Sequence, residues 1–193
     1  MKNKNKFALM LVLIPIAVLG QLQEQGPPTS FEGEFVSFTD NSITLKREDG
    51  IQLILPMQHG WFVARARAAD ISEVREGTFI ASRNLPVDAG KGTSQELRFY
   101  GDKYRPEYGT HMMRGTDTAM THGTVESVGK SPEGTELLVN YPGGKRTLII
   151  PDGISVTGYD ELSRNVLKRG VRIEVVSRKD ASGILWAQRV TVE

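Results

Sequence analysis

The sequence predicts a mostly β protein: two tandem, small OB-like five-stranded barrels, each with a short helix between its third and fourth strands. Three observations predict it. Short runs alternate apolar and polar residues at a period of two, as where Val171, Ile173 and Val175 interleave with Arg172 and Glu174. The order of these runs and of the turns between them occurs twice. Each copy also carries one short stretch bounded by helix start and stop signals.

The first copy begins at Glu32-Gly-Glu-Phe-Val-Ser37 and the second at His122-Gly-Thr-Val-Glu-Ser127. A strand-like run follows in each, Ser42–Lys46 and Glu136–Tyr141, and in the first Ile43 and Leu45 face away from Thr44 and Lys46. Turns come next at Glu48-Asp-Gly50 and Pro142-Gly-Gly144, then runs that end in proline, Gln52–Pro56 and Thr147–Pro151. Asp70 to Gly77 and Asp160 to Gly170 are the helical stretches. Asp70 with Glu73 forms a capping-box pattern, and Lys168-Arg169 sit where a helix dipole favours cations. Two further strands close each copy, and Trp186 shares the parity of Val190 and Val192, which predicts a core anchor for the second unit. The distance from proline to helix-ending glycine is 21 residues in the first copy and 19 in the second, and from that glycine to the arginine of the last strand (Arg98, Arg189) it is again 21 and 19. The repeat places one unit at 32–100, a second at 122–193 and an irregular linker at 101–121.

Met1–Lys6 is basic, residues 7–20 are a continuous apolar run, and Gln21–Gln25 is polar, the order of a secretory signal. Fourteen apolar residues fall short of the roughly 20 that span a bilayer. Val18 and Gly20 suit a cut before Gln21, so 1–20 reads as a signal peptide and 21–31, with Gly26-Pro27-Pro28, as a linker; an uncleaved signal is the one route to a membrane. The three lysines and the short apolar run suit export to the periplasm or envelope of a bacterium.

The chain has 24 Lys+Arg and 23 Asp+Glu, and without Lys2, Lys4 and Lys6 the net charge becomes −2. That argues against a globally basic nucleic-acid binder. Cysteine is absent, which excludes disulfides, thiolate metal sites and a cysteine nucleophile. No G-x-S-x-G elbow or H-E-x-x-H occurs, and the P-loop-like Asp88–Ser94 lacks the first glycine and falls in a hairpin. The sequence therefore reads as non-catalytic.

Ala69-Asp-Ile-Ser-Glu-Val-Arg-Glu-Gly-Thr-Phe79, Met120-Thr-His-Gly-Thr-Val125, and Leu148-Ile-Ile-Pro-Asp152 followed by Leu167-Lys-Arg-Gly170 carry a resemblance. The chain resembles a group of exported bacterial proteins with tandem OB-like domains of unknown function, some of them labelled metal-transporter permease components. The resemblance implies an envelope location and an OB-like fold, and no reaction.

Two segments carry candidate chemistry. His111, Met112, Met113, Met120 and His122 place five of the seven methionines and histidines beyond residue 20 within 12 residues. Thioether and imidazole select soft metals, which makes copper the candidate ion; the alternative is that the methionines pack where the linker crosses the barrels. In Leu97–Tyr108, Tyr100, Tyr104 and Tyr108 interleave with Arg98, Lys103 and Arg105, a pattern that stacks on rings and pairs with anions, or glues a linker down by its stems. Trp61, Arg65 and Arg67 have no counterpart in the second unit and are a candidate face specific to the first; the alternative is that they are half-buried strand residues. Together these predict an exported binding or scaffold module whose partner is an envelope protein or a cell-wall polymer, reached through the linker and barrel loops, with copper binding as the alternative. No cofactor other than that copper is expected.

Overall fold

The computed structural model describes residues 28–88, 90–101 and 108–193. The signal segment 1–20, residues 21–27 of the first linker, and Lys103, Tyr104 and Arg105 lie outside the described residues. Twelve strands follow one another: β1 (Thr29–Phe38), β2 (Ser42–Lys46), β3 (Gln52–Ala68), β4 (Phe79–Pro86), β5 (Lys91–Tyr100), β6 (Gly109–Met112), β7 (Ala119–Ser131), β8 (Gly134–Tyr141), β9 (Gly144–Ile150), β10 (Ser155–Leu162), β11 (Arg172–Lys179) and β12 (Leu185–Val192).

The expected helices are corrected to single 3-10 turns, Ile71–Glu73 and Arg164–Val166. The capping box at Asp70 forms as read: Asp70 Oδ1 accepts from Ser72 N at 2.8 Å and Glu73 Oε1 from Asp70 N at 3.0 Å. Only one turn follows, because a helix nucleus is costly and Val74 is instead drawn, extended, into a core at 3% exposure. In the second copy residues 160–162 stay in β10, and Ser163 supplies the cap.

Strand pairing closes a five-membered ring. β11, β1, β2 and β3 pair antiparallel in that order, and β12 joins β11 antiparallel to β3 in parallel. A second ring repeats the scheme: β4, β7, β8 and β9 pair antiparallel, and β5 joins β4 antiparallel to β9 in parallel. Counted within a ring, the spatial order 4-1-2-3 is that of a Greek key. Gly33 and Gly123, the glycines with which the two sequence copies open, occupy matching places in β1 and β7. A Cβ on Gly33 would strike the Lys46 carbonyl, and one on Gly123 would lie 2.7 Å from the Asn140 carbonyl oxygen.

The rings and the sequence copies do not coincide. The first barrel takes β1–β3 from the first copy and β11–β12 from the second, and the second barrel takes β7–β9 from the second and β4–β5 from the first. The cause is visible in β3. It is not ended by a hairpin turn in its 17 residues, so it runs on past the first barrel and delivers β4–β5 to the other. β9, the Pro151–Ile154 turn and β10 make the reciprocal crossing. The crossing strands β3 and β10 pair antiparallel, with Arg65 opposite Asp160 near the centre. Around that pair the contacts repeat: Val63 of β3 lies beside Val190 of β12, and Gly158 of β10 beside Phe99 of β5, both in parallel.

Each core is consequently built from both copies. In the first barrel Phe35, Ile43, Leu45, Leu55, Met57, Trp61 and Val63 pack on Leu167, Ile173, Val175, Ala187, Val190 and Val192. In the second, Val74, Ile80 and Leu97 pack on Val125, Leu137, Val139, Leu148 and Ile150. At about 1.5–3 kcal/mol per buried large apolar side chain, what β11 and β12 bring to the first barrel is on the order of 10 kcal/mol, comparable to the whole stability of a domain.

Candidate functional site

The pairing of β3 with β12 is irregular at one place. Met57 lies opposite Ala187 and Phe62 opposite Arg189, so four residues of β3 face one of β12. The surplus residues 58–61 arch away from the ladder, helped by Gly60 at φ +79°. The arch forms one wall of a cleft of about 300 Å³, with Gln58 and His59 on one side and Arg178, Lys179, Asp180, Trp186 and Gln188 on the other.

The same irregularity corrects the expectation for Trp186. The register shift between Ala187 and Arg189 reverses the alternation, so Ala187 enters the core at 0% exposure and Trp186 turns out into the cleft, half-buried. The β11–β12 hairpin holds it there. Asp180 Oδ1 accepts from Ser182 N, Ser182 Oγ and Ile184 N at 2.9, 2.6 and 3.0 Å, and Oδ2 accepts from the Trp186 indole N–H at 2.8 Å. The Ser182 and Trp186 hydrogen bonds hold the Asp180 carboxyl below its ordinary range. The cleft thus offers an aromatic face with its N–H already satisfied, two side-chain amides, two cations and a histidine. In the second barrel Asp88 makes the matching turn, with Oδ1 accepting from Gly90 N at 2.7 Å, but no aromatic follows until Phe99.

The burial of the two tryptophans is the reverse of the sequence expectation. Trp61, placed on a binding face, is 4% exposed in the first core, with the Arg164 guanidinium 3.8 Å over its ring centroid and Arg164 Nη2 donating to its carbonyl at 2.7 Å. Arg65 is exposed. Arg67 is paired with Glu73 at 2.6 Å and Asp160 at 3.0 Å.

Tyr100 and Tyr108 of the Leu97–Tyr108 segment join a row, while Phe99 packs on the second core. Tyr108 meets Phe79 edge-on at 5.1 Å, Phe79 lies 6.2 Å from Tyr100, and Tyr100 stacks on Tyr159 at 5.0 Å. Arg189 ends the row 4.5 Å over Tyr159, and Arg98 pairs with Glu96 at 2.9 Å. Tyr100 is 7% exposed, so its ring packs the sheet, Tyr159 is half-buried, and Tyr108 is exposed.

The methionine–histidine set is divided by strand alternation. β6 and β7 pair with His111 opposite Met120 and Gly109 opposite His122, which puts His111, Met120 and His122 on one face. Met112 points to the other side, 62% exposed. Met113 lies in the following turn, its Sδ accepting from Thr118 Oγ1 at 3.5 Å. Burial pushes the His122 imidazole down to about 4, helped by the charges of Arg178, His111 and Arg98, so it is neutral at physiological pH, and its buried Nδ1 has no hydrogen-bond partner among the described residues.

The sequence reading missed the cleft itself. Its signals were the His59-Gly60 pair inside a strand and an Asp-x-Ser-Gly turn just before a tryptophan. Comparison of the chain with family models, with curated proteins and with solved structures finds no match.

Proposed function

We propose that the protein is an exported, non-catalytic binding module of a bacterial envelope, which engages a cell-wall polymer or an envelope protein at the cleft beside the β11–β12 hairpin. The observation that carries this reading is Trp186, turned out of the core by a register shift and fixed by Asp180. An aromatic ring held in place loses little freedom when a ligand stacks on it, and the flanking Gln58, Gln188 and Lys179 supply hydrogen bonds and charge. The Greek-key order and the parallel pairing of third and fifth strands support an OB-like reading of both barrels, in keeping with the resemblance drawn from the sequence. OB barrels bind oligosaccharides and oligonucleotides beside their strand 2–3 face and their loops, including the one between the last two strands, and here that loop is the 180–184 turn. Export and a near-neutral charge favour the polymer or protein over nucleic acid.

A photo-crosslinking residue placed at Ile184, 49% exposed beside the cleft, tests the reading in cells against the same residue at Val128, 46% exposed on the other barrel. Capture of an envelope component from 184, lost on Trp186→Ala, supports it. Equal capture from both positions, or capture indifferent to Trp186, overturns it.

A further inference from the structure

We infer that His111, Met120 and His122 form a site for a soft monovalent cation, Cu(I) in the cell. The inference does not depend on the cleft. Among the described residues no group of three His, Asp or Glu is placed to hold a metal, so a hard or borderline divalent ion has no obvious cage. A thioether changes that count. Met120 sits directly across from His111 in the β6–β7 ladder and two residues from His122 on the same face. Opposed residues in an antiparallel pair carry their Cβ atoms about 5 Å apart, within reach of one ion between flexible side chains.

Gly109 brings the two imidazoles together. It is the residue opposite His122, and the His111 ring folds back over it, so that a Cβ on Gly109 would lie 3.2 Å from His111 Nε2. At φ +116° the position already favours glycine. His111 therefore occupies the space that a side chain opposite His122 would fill. Its Nε2 has a 3.4 Å contact to the Tyr108 carbonyl oxygen, at the long limit of a hydrogen bond. His122 adds the second observation: it is 9% exposed, and its Nδ1 is buried without a partner among the described residues. Buried polar atoms are nearly always paired, and an unprotonated imidazole nitrogen has the electronic character of a ligand.

The charge around the site selects the ion. Arg98 and Arg178 both act on His122, and no carboxylate belongs to the ligand set. Their repulsion on a divalent ion is twice that on a monovalent one. Two imidazoles and a thioether prefer Cu(I) among biological cations.

The test is a chelator competition on the purified full-length protein, with Cu(I) under anaerobic reducing conditions, Ag(I) as a redox-inert stand-in, and Zn(II). The expected result is one equivalent of Cu(I) or Ag(I) held against the chelator and no retention of Zn(II). Met120→Leu and His111→Ala should each lower the affinity at least tenfold; outer-shell changes alone cost about 10–100-fold at metal sites. Met112→Leu, which faces away, should leave it unchanged. Met120→Leu conserves volume and His111 is exposed, so neither threatens folding as a His122 variant does. Failure to compete for Cu(I), equal retention of Zn(II), or an equal loss on Met112→Leu would overturn the assignment.

Discussion

His122 gives the sharpest prediction about stability. Its imidazole titrates at about 4 in the fold against an ordinary value near 6.5, because it is buried and Arg178, His111 and Arg98 oppose its charge. The unfolded chain therefore binds a proton between these values while the folded protein does not, so stability is complete above pH 6.5 and is lost as pH falls toward 4. Each unit is worth about 1.4 kcal/mol, so the full loss is about 3 kcal/mol, of which roughly 2 kcal/mol has gone by pH 5. With a urea slope of about 2 kcal/mol/M, the midpoint should fall by about 1 M between pH 7 and pH 5. The window belongs to His122. Glu73 and Asp70 also have lowered values in the fold, from Arg67 and Ser72 respectively, but their ordinary values are 4.5 and 3.8, so their contribution is lost mainly at lower pH. His122→Gln removes the titrating group, and its urea midpoint should change by less than about 0.3 M over the same range. If His122→Gln keeps the acid dependence of the parent, burial of this imidazole is not its origin and the argument fails.

Trp61 has a buried indole N–H without an acceptor among the described residues, so Trp61→Phe removes an unsatisfied donor as well as volume and should cost under about 1.5 kcal/mol by chemical denaturation, whereas Trp61→Ala should cost about 3–5 kcal/mol. A Cβ on Gly158 would lie 2.9 Å from Phe99 Cζ and 3.2 Å from Arg67 Cζ at the crossing of β10 with β5 and β3, so Gly158→Ala should lower stability by about 1–3 kcal/mol; an unchanged thermal midpoint would show that Phe99 yields freely. Asp180→Ala frees the Trp186 indole, so in the Trp61→Phe background the fluorescence should shift to the red and crosslinking from Ile184 should weaken while secondary structure is kept.

Much of the architecture was legible in sequence because it rests on local rules. Alternation at Ile43/Leu45 and at Ile173/Val175 put those residues in a core, and the duplicated order of turns anticipated two rings of the same design. The exchange of strands between copies was not legible, because a strand reads the same whether it closes its own ring or its neighbour's. The placement of Trp186 was misread for a related reason. Parity counting assumes an unbroken ladder, and one register shift at Ala187 inverts it. The methionine–histidine window was visible as composition, but which members share a face depends on the pairing of β6 with β7, a fact of register.

The exchange also sets an order in time. Ser30 of β1 bonds Glu174 of β11 across 144 residues of chain, and β1 finds no second neighbour until β11 exists. A chain that emerges from its N-terminus thus holds β1–β3 as an open sheet with an unpaired edge while the later strands are still arriving. The β7–β8–β9 hairpins are local, and with β4 and β5 already present the second barrel can close once residue 150 has appeared. The first barrel waits for residue 192. The strands that come first are completed last, and such distant pairing is slow to form. The interval is short of danger only if the open sheet is kept from other chains until the last strand arrives.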